Sequence, residues 1–133
     1  MVCIQCGGKT QVSNSRPQRR SNQVWRRREC LDCKTVFTTE ESIQYGGIWR
    51  VLGQNGRLQA FSRDKLLLSI YRSCEHRKDA LADASGLTNT IISKLSTGVS
   101  NGVVQTSVIV QVAQVALNRF DQAASVHYRA HHS

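Results

Sequence analysis

The sequence predicts an α+β fold in which a small cysteine-rich β domain precedes a β-hairpin and a helical bundle. Three observations support this prediction. Short β-prone segments lie between two Cys-x-x-Cys pairs near the start of the chain. The composition changes after the Gly46-Gly47 pair, and apolar residues then recur at helical spacing. We therefore predict two domains, residues 1–45 and residues 46–133.

The first domain is predicted to contain three short strands and no helix. The segments TQVSNS, QVWRRRE and TVFTTEE are rich in residues that favour extended structure, and they show no helical period. Three strands of this length fit into a domain of 45 residues. The prediction is a small β-sheet that brings the two cysteine pairs together.

The second domain is predicted to begin with a β-hairpin formed by Ile48–Leu52 and Arg57–Phe61. The Asn55-Gly56 pair between them suits a tight turn, because both residues tolerate a positive φ. Ser62 is a predicted N-cap for a first helix. The apolar face of that helix is predicted to consist of Leu66, Leu67, Ile70, Tyr71 and Cys74.

Three further helices are predicted, over Asp79–Thr97, Val104–Phe120 and Asp121–Arg129. The i, i+4 repeat over Val104–Phe120 favours a helix, although its valines favour a strand. The predicted apolar positions of the Asp79–Thr97 helix are Leu81, Thr88, Ile91, Ile92 and Leu95. Those of the Val104–Phe120 helix are Val104, Val108, Ile109, Val112, Ala113, Val115, Ala116 and Phe120.

The cysteine spacing predicts a zinc site made by Cys3, Cys6, Cys30 and Cys33. Zn²⁺ favours four soft ligands in a tetrahedron, and each Cys-x-x-Cys turn supplies two thiolates. Two alternatives are a redox dithiol and a pair of disulfides, but the chain shows no βαβ pattern and a reducing compartment disfavours disulfides. A domain of 45 residues buries little core, so zinc is expected to supply much of its stability. The first domain is thus a predicted zinc ribbon.

The charge pattern predicts a polyanionic partner for the ribbon. The chain has a net charge of +9, and residues 9–34 hold eight basic and only two acidic residues. Four thiolates around Zn²⁺ leave a net charge of −2. Two cations would balance that charge, so the basic residues of this segment exceed what the metal site needs. Arginine forks match phosphate oxygens and the guanine edge, so nucleic acid is the favoured partner. A protein-binding ribbon and a purely structural ribbon remain alternatives.

Alternation along the second predicted strand divides its side chains between two faces. Arg26 and Arg28 share one face with Val24, whereas Arg27 shares the other face with Trp25. We expect Trp25 to pack against the domain rather than to stack on a ligand.

Several classes of protein are disfavoured by the sequence. No apolar run is long enough to cross a membrane, and the first residues lack the apolar core of a signal peptide, so a cytoplasmic protein is expected. No P-loop, nucleophile–base pair, paired carboxylates or three-ligand metal site is present. The chain is therefore not expected to be an enzyme.

The order of motifs resembles the NrdR family, bacterial repressors of ribonucleotide reductase genes. The motifs are the first Cys-x-x-Cys, VSNSR, WRRRECLDCKTVFTTEE, VLGQNGRLQAFSRDKL, RSCEHR and ALNRFDQAASVHYRA. That family joins a zinc ribbon to an ATP-cone. The resemblance therefore implies an ATP-cone-like hairpin and helical bundle after the ribbon.

The resemblance also implies a mechanism, in which Zn²⁺ holds the ribbon and ATP or dATP in the cone sets the oligomeric state and the DNA affinity. The partners it implies are promoter boxes in double-stranded DNA, adenine nucleotides and further copies of the chain. The implied DNA contacts are Arg16, Arg26, Arg27 and Arg28. The implied nucleotide contacts are Arg50, Val51, Arg57, Lys65, Glu75 and Arg77.

One departure from the family pattern lies in the hairpin. The family's Val-x-Lys corresponds here to Val51-Leu52-Gly53, so the lysine that reaches a phosphate is replaced by glycine. Arg50 or Arg57 is a candidate to replace it. The departure also favours an alternative interpretation, a nucleic-acid-binding zinc ribbon joined to a degenerate cone that only oligomerises.

Overall fold

The computed structural model describes residues 1–132 and divides the chain into two compact units. The first unit is Met1–Ile43 and the second begins at Gln44. The first unit combines strands with the four clustered cysteines, and helices dominate the second unit, which confirms the predicted α+β fold class. Within residues 1–132, no helix combines the length and apolar character that a membrane span requires.

The first unit is a three-stranded antiparallel sheet in the order β1-β2-β3. Its strands are β1 Thr10–Gln18, β2 Gln23–Cys30 and β3 Val36–Glu41, close to the three predicted segments. The register between β1 and β2 shifts between Val12 and Asn14, which indicates a bulge. Because β2 is the central strand, its arginine run lies between two partner strands.

The second unit contains a smaller sheet in the order β5-β4-β6. The predicted hairpin is present as β4 Arg50–Leu52 and β5 Leu58–Ala60, and Gly56 takes a φ of +77° in its turn. Strand β6, Val103–Gln105, pairs in parallel with β4. The prediction had placed Val104 in the first turn of a helix. It was wrong because a strand of three residues is too short to show a period of its own.

Among the described residues of the second unit, a short 3-10 helix, Tyr45–Gly47, precedes β4, and four α-helices complete the unit: α1 Arg63–Cys74, α2 Ala80–Ser96, α3 Thr106–Phe120 and α4 Gln122–His131. The Ser62 hydroxyl accepts a hydrogen bond from the Lys65 amide at 3.3 Å, so the predicted N-cap is confirmed. Asp121 takes an extended conformation that ends α3, and its carboxylate caps α4 through the Ala124 amide at 3.1 Å. The third and fourth helices are therefore separate elements.

The core of the second unit forms where these helices meet, around Ile70, Ile91, Leu117 and Tyr128, which are at most 1% exposed. Cys74 is also fully buried, as expected for a small core residue. Four predicted apolar positions were wrong, because these side chains are exposed at the rims of the helical stripes. They are Leu81, Val108, Val115 and Phe120.

An ion cluster ties the end of α1 to the other helices. The Arg77 guanidinium donates to Asp83 and to Asp121 at 2.7 Å each, and it lies 4.4 Å from the centre of the Phe120 ring. His76 Nε2 lies 3.1 Å from the same Asp121 carboxylate. One arginine thus links α2 with the junction between α3 and α4.

We expect this cluster to make the second unit sensitive to acid. The hydrogen bond from Arg77 holds the pKa of Asp121 well below its usual range, and the Ala124 amide adds to the effect. Because the folded pKa is depressed, the stabilisation is complete above the unfolded value near about 4 and is lost as pH falls below it. Asp121→Asn should therefore lower the melting temperature at neutral pH and weaken its fall in acid.

The measurement is thermal unfolding followed by the helical circular dichroism signal across an acidic pH series. Glu75→Gln is the matched control, because Glu75 is exposed at the end of α1 and its replacement removes the same charge. The control should follow the wild-type profile. Equal acid dependence in Asp121→Asn and wild type would contradict the assignment.

Candidate metal centre and nucleic-acid interface

The four predicted cysteines converge at one end of the ribbon sheet. Their Sγ atoms all lie within 4.8 Å of one another, with Cys3 to Cys33 at 3.6 Å and Cys6 to Cys30 at 3.5 Å. A tetrahedral zinc ion with Zn–S bonds of about 2.3 Å holds its sulfurs about 3.8 Å apart. The observed spacing fits such an ion, and four protein ligands leave no position for a substrate. The site is therefore built as a structural zinc site.

Hydrogen bonds from backbone amides and from a hydroxyl group favour the thiolate forms that zinc requires at three of the cysteines. At Cys6, the hydrogen bond from the Gly8 amide is outweighed by the Cys30 and Cys33 thiols, and the pKa of Cys6 is raised to about 12. The backbone amide of Gln5 donates to Cys3 Sγ at 3.3 Å. The backbone amides of Asp32 and Cys33 donate to Cys30 Sγ at 3.4 Å each. The hydroxyl of Thr35 lies 3.1 Å from Cys33 Sγ and, together with the Thr35 amide, lowers the pKa of that thiol to about 6. Sequence analysis missed Thr35, although its position two residues after Cys33 marks the same turn.

The two cysteine turns share one backbone conformation. The Cys3 amide donates to Gly8 O at 2.8 Å, and the Cys30 amide donates to Thr35 O at 2.9 Å, five residues on in both cases. Gly7 takes a φ of +74° in the first turn, and Lys34 takes a φ of +65° at the matching position of the second. A left-handed conformation costs a lysine about 1 kcal/mol or more.

We expect Lys34→Gly to stabilise the ribbon by up to about 1 kcal/mol, because glycine adopts this conformation without strain but loses more entropy on folding. The reciprocal variant Gly7→Ala should destabilise it. A Cβ at Gly7 meets nothing within 4 Å, so this loss would come from the backbone alone. The measurement is unfolding of the zinc-loaded chain together with zinc retention against a chelator. Unchanged stability in both variants would rule out the strain.

The arginines proposed for DNA contact are divided between the two faces of the ribbon sheet. Arg16 pairs with Trp25 across β1 and β2, and Arg27 lies two residues along β2 on the same face. Arg26 and Arg28 lie on the opposite face, as strand alternation predicted. Trp25 is 43% exposed, so the expectation that it packs against the domain is met only in part.

The residues proposed for nucleotide contact do not form one cluster. Arg50 and Arg57 are exposed on the hairpin, and Val51 is half-buried against the core. Lys65 lies in the first turn of α1, whereas Glu75 caps its other end, about 15 Å away at a rise of about 1.5 Å per residue. Arg77 belongs to the ion cluster with Asp83 and Asp121 described above.

Lys65 lines a groove of about 340 Å³ between α1 and α4. Arg72, one of the side chains that sequence analysis missed, adds a second positive charge to this groove. His132 stacks on Tyr128 at 4.0 Å, and its Nε2 lies 3.1 Å from Ser69 Oγ. The histidine therefore packs against the helical bundle.

A second cavity, of about 490 Å³, lies between α2 and α3 and is lined mainly by apolar groups. Leu87, Val112 and Phe120 are among its lining residues, and Lys94 and Arg119 add charge. Val115 on α3 also lines this cavity, and its side chain is half-exposed.

The four-cysteine centre on a three-stranded sheet, followed by a separate α+β unit, defines the class of protein: a zinc ribbon joined to a second domain. A family model described as "Transcriptional repressor NrdR-like, N-terminal domain" matches residues 1–41. That match covers the whole ribbon sheet.

Relatives of the whole chain are transcriptional repressors named NrdR. The one from Symbiobacterium thermophilum is 34% identical over 96% of this chain and 84% of its own length. The one from Bradyrhizobium diazoefficiens is 33% identical over 96% of this chain and 79% of its own length. The one from Streptococcus gordonii is 36% identical over 77% of this chain and 66% of its own length. The chain belongs to the NrdR family of transcriptional repressors, whose role is regulatory rather than enzymatic.

Proposed function

We propose that the chain represses ribonucleotide reductase genes in the cytoplasm, binding promoter boxes in double-stranded DNA through its ribbon. The observation that carries the proposal is the relationship to NrdR repressors over 96% of the chain. The concentration of arginines on β1 and β2 supports a polyanionic partner. The proposed DNA contacts are Arg16, Arg26, Arg27 and Arg28.

We further propose that ATP or dATP binds the second unit and sets its oligomeric state, and hence its affinity for DNA. The two cations of the α1–α4 groove, Lys65 and Arg72, favour a phosphate-bearing ligand. The exposed apolar surface on α3 favours self-association. The proposed nucleotide contacts are Arg50, Val51, Arg57, Lys65, Glu75 and Arg77.

A second candidate function is a DNA-binding ribbon whose cone only oligomerises. Gly53 favours it, because this residue replaces the family lysine that reaches a phosphate. The Gly53 amide donates to Arg57 O within the hairpin turn at 3.0 Å, so this backbone group is already paired. Under this candidate, nucleotides would change neither assembly nor DNA affinity.

The experiment is mass photometry of the zinc-loaded chain alone, with ATP and with dATP, followed by DNA binding in each condition. The DNA is a duplex from upstream of ribonucleotide reductase genes of the source organism, and a scrambled duplex is the control. Assemblies that differ between nucleotides, with different affinities for the promoter duplex, are expected. Sequence-specific binding without any nucleotide response would favour the second candidate.

A DNA-free readout checks the groove directly. Lys65→Gln and Arg72→Gln should weaken dATP binding, whereas Lys94→Gln, a cation of the α2–α3 cavity, should leave it unchanged. Calorimetric titration of each variant with dATP measures this. If only Lys94→Gln lost dATP binding, the nucleotide site would instead be assigned to the α2–α3 cavity.

A further inference from the structure

The two faces of the ribbon sheet use their arginines differently. On one face, Arg26 donates to Ser15 Oγ at 2.9 Å and lies 3.6 Å from a Glu41 carboxylate oxygen. Arg28 donates to Thr10 Oγ1 at 3.1 Å, and its Nε atom is buried. These guanidiniums already tie β2 to its two neighbouring strands. A phosphate would have to compete with those contacts.

The opposite face offers unengaged cations beside an exposed indole. Within residues 1–132, the guanidiniums of Arg16 and Arg27 make no hydrogen bond or ion pair. Both side chains are exposed, and they flank Trp25 on the sheet. They line a shallow groove of about 220 Å³ with Asn14 and Thr38, and Arg26 also borders it.

This combination matches the chemistry of a nucleic-acid strand. Free arginine forks bind phosphate oxygens in bidentate geometry, and an exposed aromatic ring beside them can cover the sugar carbons of a duplex. The amide of Asn14 and the hydroxyl of Thr38 add neutral donors beside them. Two carboxylates share this face: Glu40, which pairs with Trp25 from β3, and Glu29, which lies two residues beyond Arg27 on β2. In the described part of the chain, neither forms an ion pair with Arg16 or Arg27, so both guanidiniums remain available to phosphates.

We propose that the Arg16–Trp25–Arg27 face is the surface that meets duplex DNA, with Trp25 as an additional contact. Arg28 is a positioning residue that holds the sheet from the other face. The inference rests on the proposed function, because it specifies how the ribbon binds DNA. It narrows the four arginines implied by the family resemblance to two direct phosphate contacts, and it adds an aromatic contact that the arginine run does not suggest.

The test compares neighbouring arginines whose side chains point to opposite faces. Arg16→Gln, Arg27→Gln and Arg28→Gln each remove one positive charge from the zinc-loaded full chain. Affinity for a labelled duplex of mixed sequence is measured over a salt series at one fixed nucleotide condition. Each lost phosphate contact reduces the slope of log K against log salt by about 0.9.

Arg16→Gln and Arg27→Gln should reduce that slope and keep the wild-type melting temperature. Arg28→Gln should keep the slope and lower the melting temperature of the ribbon. If Arg28→Gln loses zinc, Arg26→Gln serves as the second control and should reduce the slope less than Arg27→Gln. A slope reduced by Arg28→Gln or Arg26→Gln, with wild-type slopes for Arg16→Gln and Arg27→Gln, would overturn the proposal.

Trp25 provides an independent readout. Trp25→Ala should weaken duplex binding without changing the salt slope, because the indole packs on deoxyribose carbons and carries no charge. Trp49, the other tryptophan, is 6% exposed and packs against Tyr45 and Phe61 in the second unit. The difference in tryptophan fluorescence between the wild type and Trp25→Phe therefore reports on Trp25. Duplex DNA should protect that emission from acrylamide quenching.

The outcomes separate this inference from the proposed function. If the wild type does not bind promoter or mixed duplex in any nucleotide condition, the proposed function fails. If it binds duplex while Trp25 stays open to acrylamide and Arg16→Gln and Arg27→Gln bind normally, only this inference fails. Tighter binding to the single strand than to the duplex would overturn the assignment of this face to double-stranded DNA.

Discussion

Replacing Cys30 with serine is expected to remove zinc from the chain and to unfold the first unit. Cys30 is fully buried, and its sulfur accepts hydrogen bonds from two amides in the second turn. The three-stranded sheet has few buried apolar side chains, so metal binding is the main source of its folding free energy. Structural zinc contributes roughly 10 kcal/mol or more in small zinc domains at neutral pH.

The measurement is zinc content by metal analysis together with DNA binding, and one zinc per folded wild-type chain is expected. Cys74→Ala is the matched control, because Cys74 lies in the core of the second unit and outside the four-cysteine cluster. It should keep its zinc while losing stability in the helical unit. A Cys30→Ser chain that binds DNA normally without zinc would refute a structural metal.

Ile70→Ala is expected to destabilise the second unit by about 2–5 kcal/mol while leaving zinc in place. Ile70 is fully buried on α1, within the cluster that contains Ile91 and Leu117. Its truncation removes apolar contacts and leaves a cavity, since helices packed from several directions collapse only partly. Stability falls mainly in the unit that responds to nucleotides under the proposed function.

Leu68→Ala provides the control for that change. Leu68 lies on the same helix but is 57% exposed, so its truncation should change stability by no more than about 0.5 kcal/mol. Denaturant unfolding followed by the helical signal measures both variants, with zinc content determined in parallel. Similar losses in Ile70→Ala and Leu68→Ala would contradict the assigned core.

The features that the sequence predicted well are those set by local chemistry. The four zinc ligands follow from ligand type and turn spacing, and the Ser62 N-cap follows from one hydroxyl and the helix after it. The face division of Arg26, Arg27 and Arg28 follows from alternation along a strand. Such patterns depend on neighbours within a few residues, so one sequence reveals them.

The features that the sequence did not predict depend on distant partners. Strand β6 forms because residues more than fifty positions away supply its hydrogen bonds. The exposure of Trp25 depends on what covers its face of the sheet, and alternation does not give that information. The ion cluster of Arg77 likewise needs Asp121, which the fold alone brings close. Each of these features requires the tertiary arrangement, which periodicity does not encode.

The parallel pairing of β4 with β6 has a consequence for biosynthesis. β4 is the central strand of the smaller sheet, and β6 follows it in the chain only after α1 and α2. One edge of β4 therefore stays unpaired until residues 103–105 have left the ribosome. The zinc ligands end at Cys33 and the ribbon sheet ends at Glu41, so the ribbon can fold much earlier on the nascent chain. Translation should therefore release a metal-loaded N-terminal domain first, while the unpaired edge of β4 remains a target for chaperones.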